Sequence, residues 1–197
     1  MKRTILMLTM AAACCNAVFA QGAPMQPGLS SEVKRGYTQV KNNLLGAANA
    51  MPESGYGFSP VPEEMTFGKW VAHVADAQTG TCSALNGAAA RGDAATKTSK
   101  ADLVAALQAS FDLCDKAFDS LTDANALEMI SAGRGQSSRA GALAGVNVHD
   151  NECYGSMAVY LRIKGVVPPS TAIRGGLGGG RGMSGAGRMG TMGGPGR

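Results

Sequence analysis

The chain has 197 residues, 45% of them hydrophobic and 16% charged, with 18 Lys and Arg against 14 Asp and Glu. That length suits one compact domain with terminal extensions. The formal net charge of +4 belongs to the ends: without Lys2, Arg3, Arg174, Arg181, Arg188 and Arg197, 12 basic residues face 14 acids. The central part therefore has no basic footprint for nucleic acid, and no nucleic-acid partner is expected.

The chain opens MKRTILMLTMAAACCNAVFA. Lys2 and Arg3 form a basic start, Ile5 to Ala13 is a short, mostly apolar run, and Val18-Phe19-Ala20 offers a cleavage point before Gln21. This is the plan of a secretory signal peptide over residues 1–20, and the run is too short to span a bilayer as a helix. Lipidation at Cys14 is disfavoured, because Ala11 stands where a larger aliphatic residue is usual. No other segment is long and apolar enough to cross a membrane. The expected location is the periplasm or the extracellular space. A linker, 21–29, leads to a domain expected over 30–173.

Ala and Leu are common in that domain and strand-like alternation is scarce, so helices are expected. The first spans about Ser31 to Ala50, with Val33, Tyr37, Val40 and Leu44 on one stripe. MPESGYGFSPVPEE (51–64) follows as a structured loop, marked by Gly and Pro. The second helix begins after Thr66, a suitable N-cap, and runs to about Asn86. Its expected stripe is Phe67, Trp70, Val71, Val74, Ala77, Thr81 and Leu85. The third starts at Ser99, where Ser99-Lys100-Ala101-Asp102 resembles a capping box with Asp for Glu. It continues through Leu103, Leu107, Phe111, Cys114 and Phe118 to about Ser120. A short extra helix is expected over Thr122 to Ile130. The fourth main helix runs from about Ser138 to Lys164, stopped by Gly165 with Pro168-Pro169 beyond. Four amphipathic helices of similar length imply an all-α four-helix bundle. Residues 174–197 form a Gly-, Arg- and Met-rich tail. Twelve of the 23 residues from 175 onward are Gly, so the tail is expected to be disordered.

The chemistry falls on two histidines. His73 lies in the second helix, and His149 lies in the fourth with Cys153 four residues on. Residues four apart share a helix face. If the two helices face each other, two imidazoles and a thiolate converge, a donor set for a zinc-like divalent ion that leaves a position open for water or a substrate thiol. Asp76 and Asp150 are candidates to orient the imidazoles by hydrogen bonding. Read without a metal, the same residues are an ordinary pair of helical histidines beside an inert thiol.

Export would leave three cysteines, Cys82, Cys114 and Cys153, and hence one disulfide and one free thiol in an oxidising setting. Cys82 lies sixteen residues after Thr66 and Cys114 fifteen after Ser99, roughly 22–24 Å along their helices at about 1.5 Å per residue. The two are level if the helices run parallel, and the connection of about twelve residues, reaching roughly 40 Å, allows that. An up-down-down-up bundle thus permits Cys82–Cys114, whereas an antiparallel hairpin staggers the pair. A bridge using Cys153 would abolish the metal site.

AMPESGYGFSPVPEEMTFGKWVAHVADAQ (50–78) and VHDNECYGSMAVYLRIKGVVPPST (148–171) together resemble the DinB-like superfamily, the four-helix bundles related to the DinB and YfiT proteins. The resemblance covers roughly residues 30–173. It implies an up-down-down-up bundle with parallel second and third helices. It also implies a divalent metal, of zinc or nickel type, on three histidines, one in the second helix and two at H-x-x-x-H spacing in the fourth. His73 and His149 match the first two, and Cys153 stands where the third His is usual. Some members are metal-dependent transferases acting on low-molecular-weight thiols. The resemblance therefore implies a thiol or other small-molecule ligand, with thiol transfer or hydrolysis as the chemistry. The alternative is a non-catalytic, metal-free binding or structural domain stabilised by its disulfide.

Overall fold

The computed structural model describes residues 27–132 and 135–172. The expected signal peptide and Gly-rich tail lie outside them. The described chain is mostly helical: α1 (Leu29–Ala50), α2 (Phe67–Leu85), α3 (Lys100–Asp119) and α4 (Arg139–Ile163), with short 3-10 turns at Glu53–Gly55 and Ala94–Thr96. An antiparallel two-stranded ribbon, β1 (Met129–Ala132) and β2 (Gly135–Ser138), precedes α4.

The helix starts follow from local chemistry. Thr66, Ser99 and Ser138 each accept a hydrogen bond from a backbone N–H three residues on, satisfying one of the orphan donors of a first turn. At α3 the Asp102 carboxylate accepts from the Ser99 hydroxyl at 2.7 Å. The box thus closes through its side chains rather than by reaching back to the Ser99 N–H. α1 has Gly28 as its N-cap, with no side-chain bond of its own. Asp123, beyond α3, accepts from Ser30 N–H at 2.8 Å instead, placing a negative charge where the helix dipole favours one. Gly165, at φ +73°, ends α4 in the left-handed region.

Packing sets the helix directions. Tyr37 of α1 donates to Asp115 of α3 at 2.7 Å, and Lys41 pairs with the same carboxylate. At the other end of α1, Lys100 Nζ reaches the Asn49 and Met51 carbonyls. α1 and α3 therefore run in opposite directions. Asn147 of α4 donates to the Val33 carbonyl, while Gly46 lies under Pro169, where a Cβ would come within 2.9 Å of the ring. α1 and α4 therefore run the same way. α2 and α3 share both ends: a Cβ on Gly68 would sit 3.3 Å from Leu103, and Cys82 is bridged to Cys114 with Cα atoms 4.9 Å apart. Trp70 donates to the Tyr160 hydroxyl, which donates to the Met65 carbonyl, joining the start of α2 to the end of α4. One core fills the interior, with Phe67, Phe111, Phe118, Leu44, Leu107 and Met157 among its fully buried side chains.

Two expectations need correction. The extra helix over Thr122–Ile130 does not form. Thr122 and Asn125 exchange side-chain-to-backbone hydrogen bonds, and Asn125 also caps the Ser120 carbonyl. Such bonds offer the backbone an alternative to helix, and the chain passes from this turn into β1. The buried face of α2 is also rotated from the expected stripe: Thr81 is exposed, whereas Gln78 and Cys82 are buried. α2 packs against both α3 and α4, so its buried arc is wider than one apolar stripe.

The bridge spans 32 residues of sequence, and a loop of that size contributes about 3–4 kcal/mol by restricting the unfolded chain. Replacing Cys82 and Cys114 together by Ala is expected to lower unfolding stability by about that amount, read from denaturant midpoints.

Candidate metal centre

His73, in the first half of α2, and His149 and Cys153, on consecutive turns of α4, meet because these segments face each other below the Trp70–Tyr160 contact. The two Nε2 atoms are 3.1 Å apart, and Cys153 Sγ is 3.7 Å from His149 Nε2. All three donor atoms lie within 4.8 Å of one another. A tetrahedral ion with metal–nitrogen bonds of about 2.05 Å and a metal–sulfur bond of about 2.3 Å needs separations of roughly 3.3–3.6 Å. The His73–His149 and His149–Cys153 separations lie within a few tenths of an ångström of those values. His73 is exposed, His149 half-buried and Cys153 only 2% exposed, so the set has a wet side and a dry side.

The two aspartates have different places. Asp150 is fully buried, and its Oδ1 lies 3.3 Å from His149 Nδ1. An ionised carboxylate can only accept, so Nδ1 carries the hydrogen and Nε2 is turned toward His73 and Cys153. Asp76 does not orient an imidazole. Its two oxygens accept from the Ala94 and Ala95 N–H groups at 2.8 and 3.0 Å. The 3-10 turn there begins with unpaired donors, and the carboxylate satisfies them.

Sequence reading missed Gln78 and Ser110. Gln78 Nε2 donates to Asp150 Oδ2 at 2.6 Å, and Gln78 Oε1 accepts from the Ser110 hydroxyl at 2.8 Å. Both side chains are only 1% exposed. The one sequence signal was a long amide inside a helix, at i+5 from His73, which looks like a solvated position.

Two clefts flank the cluster. One, of about 590 Å³, lies between the second half of α2 and the first half of α4, and His149, Asp150, Ala84, Ala142, Gly145 and Val146 are among its lining residues. A Cβ on Gly145 would meet nothing within 4 Å. The other, of about 770 Å³, opens on His73 and is lined also by Tyr56, Lys69, Lys97 and Leu103. Both are of the size of small-molecule sites.

Residues 37–156 match the sequence model of the DinB superfamily. Among solved structures, a DinB-like protein from Bacillus cereus ATCC 10987, determined at 2.01 Å, is similar with a TM-score of 0.59 and 15% identity. The match covers 70% of this chain and 93% of that one, and at that identity it shows the fold. No curated protein matches the chain.

The Asp150 carboxylate, and secondarily Cys153, raise the pKa of His149 from 6.5 to about 10 against the opposing effect of burial. Without metal, a proton occupies the place between the donor atoms. Its contribution to stability is fully present below about 6.5 and is lost as pH rises through about 10. A metal must displace that proton. Zinc affinity is therefore expected to rise between neutral pH and pH 9, by about tenfold per pH unit for each proton released. Titration calorimetry in buffers of different ionisation enthalpy counts those protons; pH-independent affinity would contradict the assignment.

Proposed function

Because this chain belongs to the DinB superfamily, we propose that it is an exported up-down-down-up bundle, residues 30–173, which holds a divalent ion of the zinc or nickel class through His73 Nε2, His149 Nε2 and Cys153 Sγ. The observation that carries this reading is the convergence of three ligand-type atoms from two helices within 4.8 Å. Two nitrogens and one sulfur suit a borderline-soft ion and leave one coordination position open on the exposed His73 side. When bound, the ion supplies a Lewis acid that holds a ligand thiol as thiolate or activates water. The chain's own part is to present the donors: Asp150 fixes the His149 tautomer, and burial keeps Cys153 from solvent. The clefts on either side supply room for a small molecule or a thiol. Thiol transfer and hydrolysis are the two reaction classes that fit this arrangement. A disulfide alongside a free, buried Cys153 supports an oxidising compartment, and no helix of the described residues is long and apolar enough to cross a membrane.

A second reading is a metal-free binding domain held by the Cys82–Cys114 bridge. It is favoured by the short His73–His149 contact, which a single shared proton also satisfies.

Elemental analysis of untagged protein separates the two. The metal reading expects one ion per chain, lost in His73→Ala and in His149→Ala. Cobalt-loaded protein is expected to show a thiolate-to-metal charge-transfer band that disappears in Cys153→Ser. Cys153→His, with an imidazole in place of the thiolate, is expected to keep the ion without that band. Unchanged metal content in both His variants would reject the triad in favour of the metal-free domain.

A further inference from the structure

The donor triad is joined to a line of buried polar groups that no ligand role accounts for. Starting in α3, the Ser110 hydroxyl donates to Gln78 of α2, Gln78 donates to Asp150 of α4, and Asp150 holds Nδ1 of His149. The carboxylate sets the order, and the Ser110 hydroxyl is shared between Gln78 Oε1 and the Leu107 carbonyl, each at 2.8 Å. Asp150 can only accept, so Gln78 must present its NH2 to it and its carbonyl to Ser110. Gln78, Ser110 and Asp150 are each at most 1% exposed, so water cannot replace a lost partner, and a misplaced amide leaves buried groups unpaired.

The bridge lies against the same line. Cys82 follows Gln78 by four residues, and Cys114 follows Ser110 by four. Each cysteine therefore sits one turn beyond its neighbour on the same helix face. With α2 and α3 side by side and pointing the same way, the disulfide and the Gln78–Ser110 hydrogen bond are successive rungs between the two helices. A slide or rotation of α3 against α2 that broke the upper rung would have to strain the lower one.

We propose that Gln78 and Ser110 are positioning residues for the His73–His149–Cys153 centre, and that the Cys82–Cys114 bridge sets the helix register on which they depend. The role rests on the metal reading above and deepens it. Gln78 touches no ligand. It fixes the rotation of the Asp150 carboxylate, and the carboxylate fixes the plane of the imidazole. Ser110 gives the amide carbonyl its buried partner. The bridge holds the two rungs together, so covalent chemistry far from the donor atoms governs how well they are arranged for an ion.

The test compares Gln78→Met, which keeps volume while removing both hydrogen bonds, with Ser110→Ala, with Cys82→Ala/Cys114→Ala, and with Leu44→Ala as a destabilised control in the α1 core. Zinc affinity is measured by chelator competition, and thermal midpoints are recorded for the metal-free proteins. Gln78→Met is expected to weaken zinc about tenfold or more, in the range seen when groups behind a metal ligand are removed. Ser110→Ala and the bridge variant are expected to weaken it several-fold. Leu44→Ala is expected to lower the midpoint with affinity held within twofold. A second readout needs no metal: the Nδ1 proton of His149 is expected to give a signal in wild type that broadens in Gln78→Met. Equal zinc affinity and an unchanged Nδ1 signal in folded Gln78→Met would overturn the positioning role. Wild-type affinity in the folded bridge variant would overturn the role of the disulfide. If wild type takes up no zinc, the metal reading fails, and the Nδ1 signal alone decides whether Gln78 orders the imidazole.

Discussion

A fully buried carboxylate, Asp150, is the constraint around which the site is arranged. An ionised carboxylate without water is costly unless its oxygens are hydrogen-bonded. Here one oxygen takes the His149 ring and the other the Gln78 amide. The Gln78 bond ties α4 to α2 at one axial position, and the His149 bond, within α4, sets the ring. Placing His73 of α2 beside His149 then follows, because His73 lies a little more than one turn before Gln78 on the same helix. The core packs around this polar line, with Tyr37 and Phe118 stacked on one side of the bundle and Phe67 against Tyr56 on another.

Much of the fold was legible because its signals are local. Thr66, Ser99 and Ser138 cap helices in the structure as their chemistry requires, and Gly165 ends α4 with a positive φ. Both histidines fell on helices, and their meeting needed only that α2 face α4. The level positions of Cys82 and Cys114 depended on chain direction, which spacing alone left open between a parallel and an antiparallel pair. The ribbon before α4 was missed for a different reason. Its preceding turn is set by Thr122 and Asn125 bonding back to the backbone, and such bonds compete with helix at energies too similar for propensity to decide.

The roles of polar residues were harder to read. Gln78 and Asp76 are both polar, both on α2, and two residues apart. One is in the centre of the bundle and the other holds a connecting turn. A polar letter in a helical pattern ordinarily marks the wet face. Only the three-dimensional partner shows when it marks the interior instead. Asp150 was separated from such ambiguity by its adjacency to His149, whereas Ser110 had no neighbour in sequence to suggest its part.

Gly145 carries a separate consequence. Its α-carbon faces open space in the cleft that His149 and Asp150 also line. Ala84 of α2 lines the same cleft. A methyl can be added at Gly145 without displacing a core atom, and a glycine inside a helix forgoes about 0.5–1 kcal/mol that alanine would restore. The cleft can thus change its shape under mutation while the bundle stays folded and the donor atoms stay where they are. The shape of the cleft and the integrity of the bundle are separable traits in this protein, and the first has room to evolve without endangering the second.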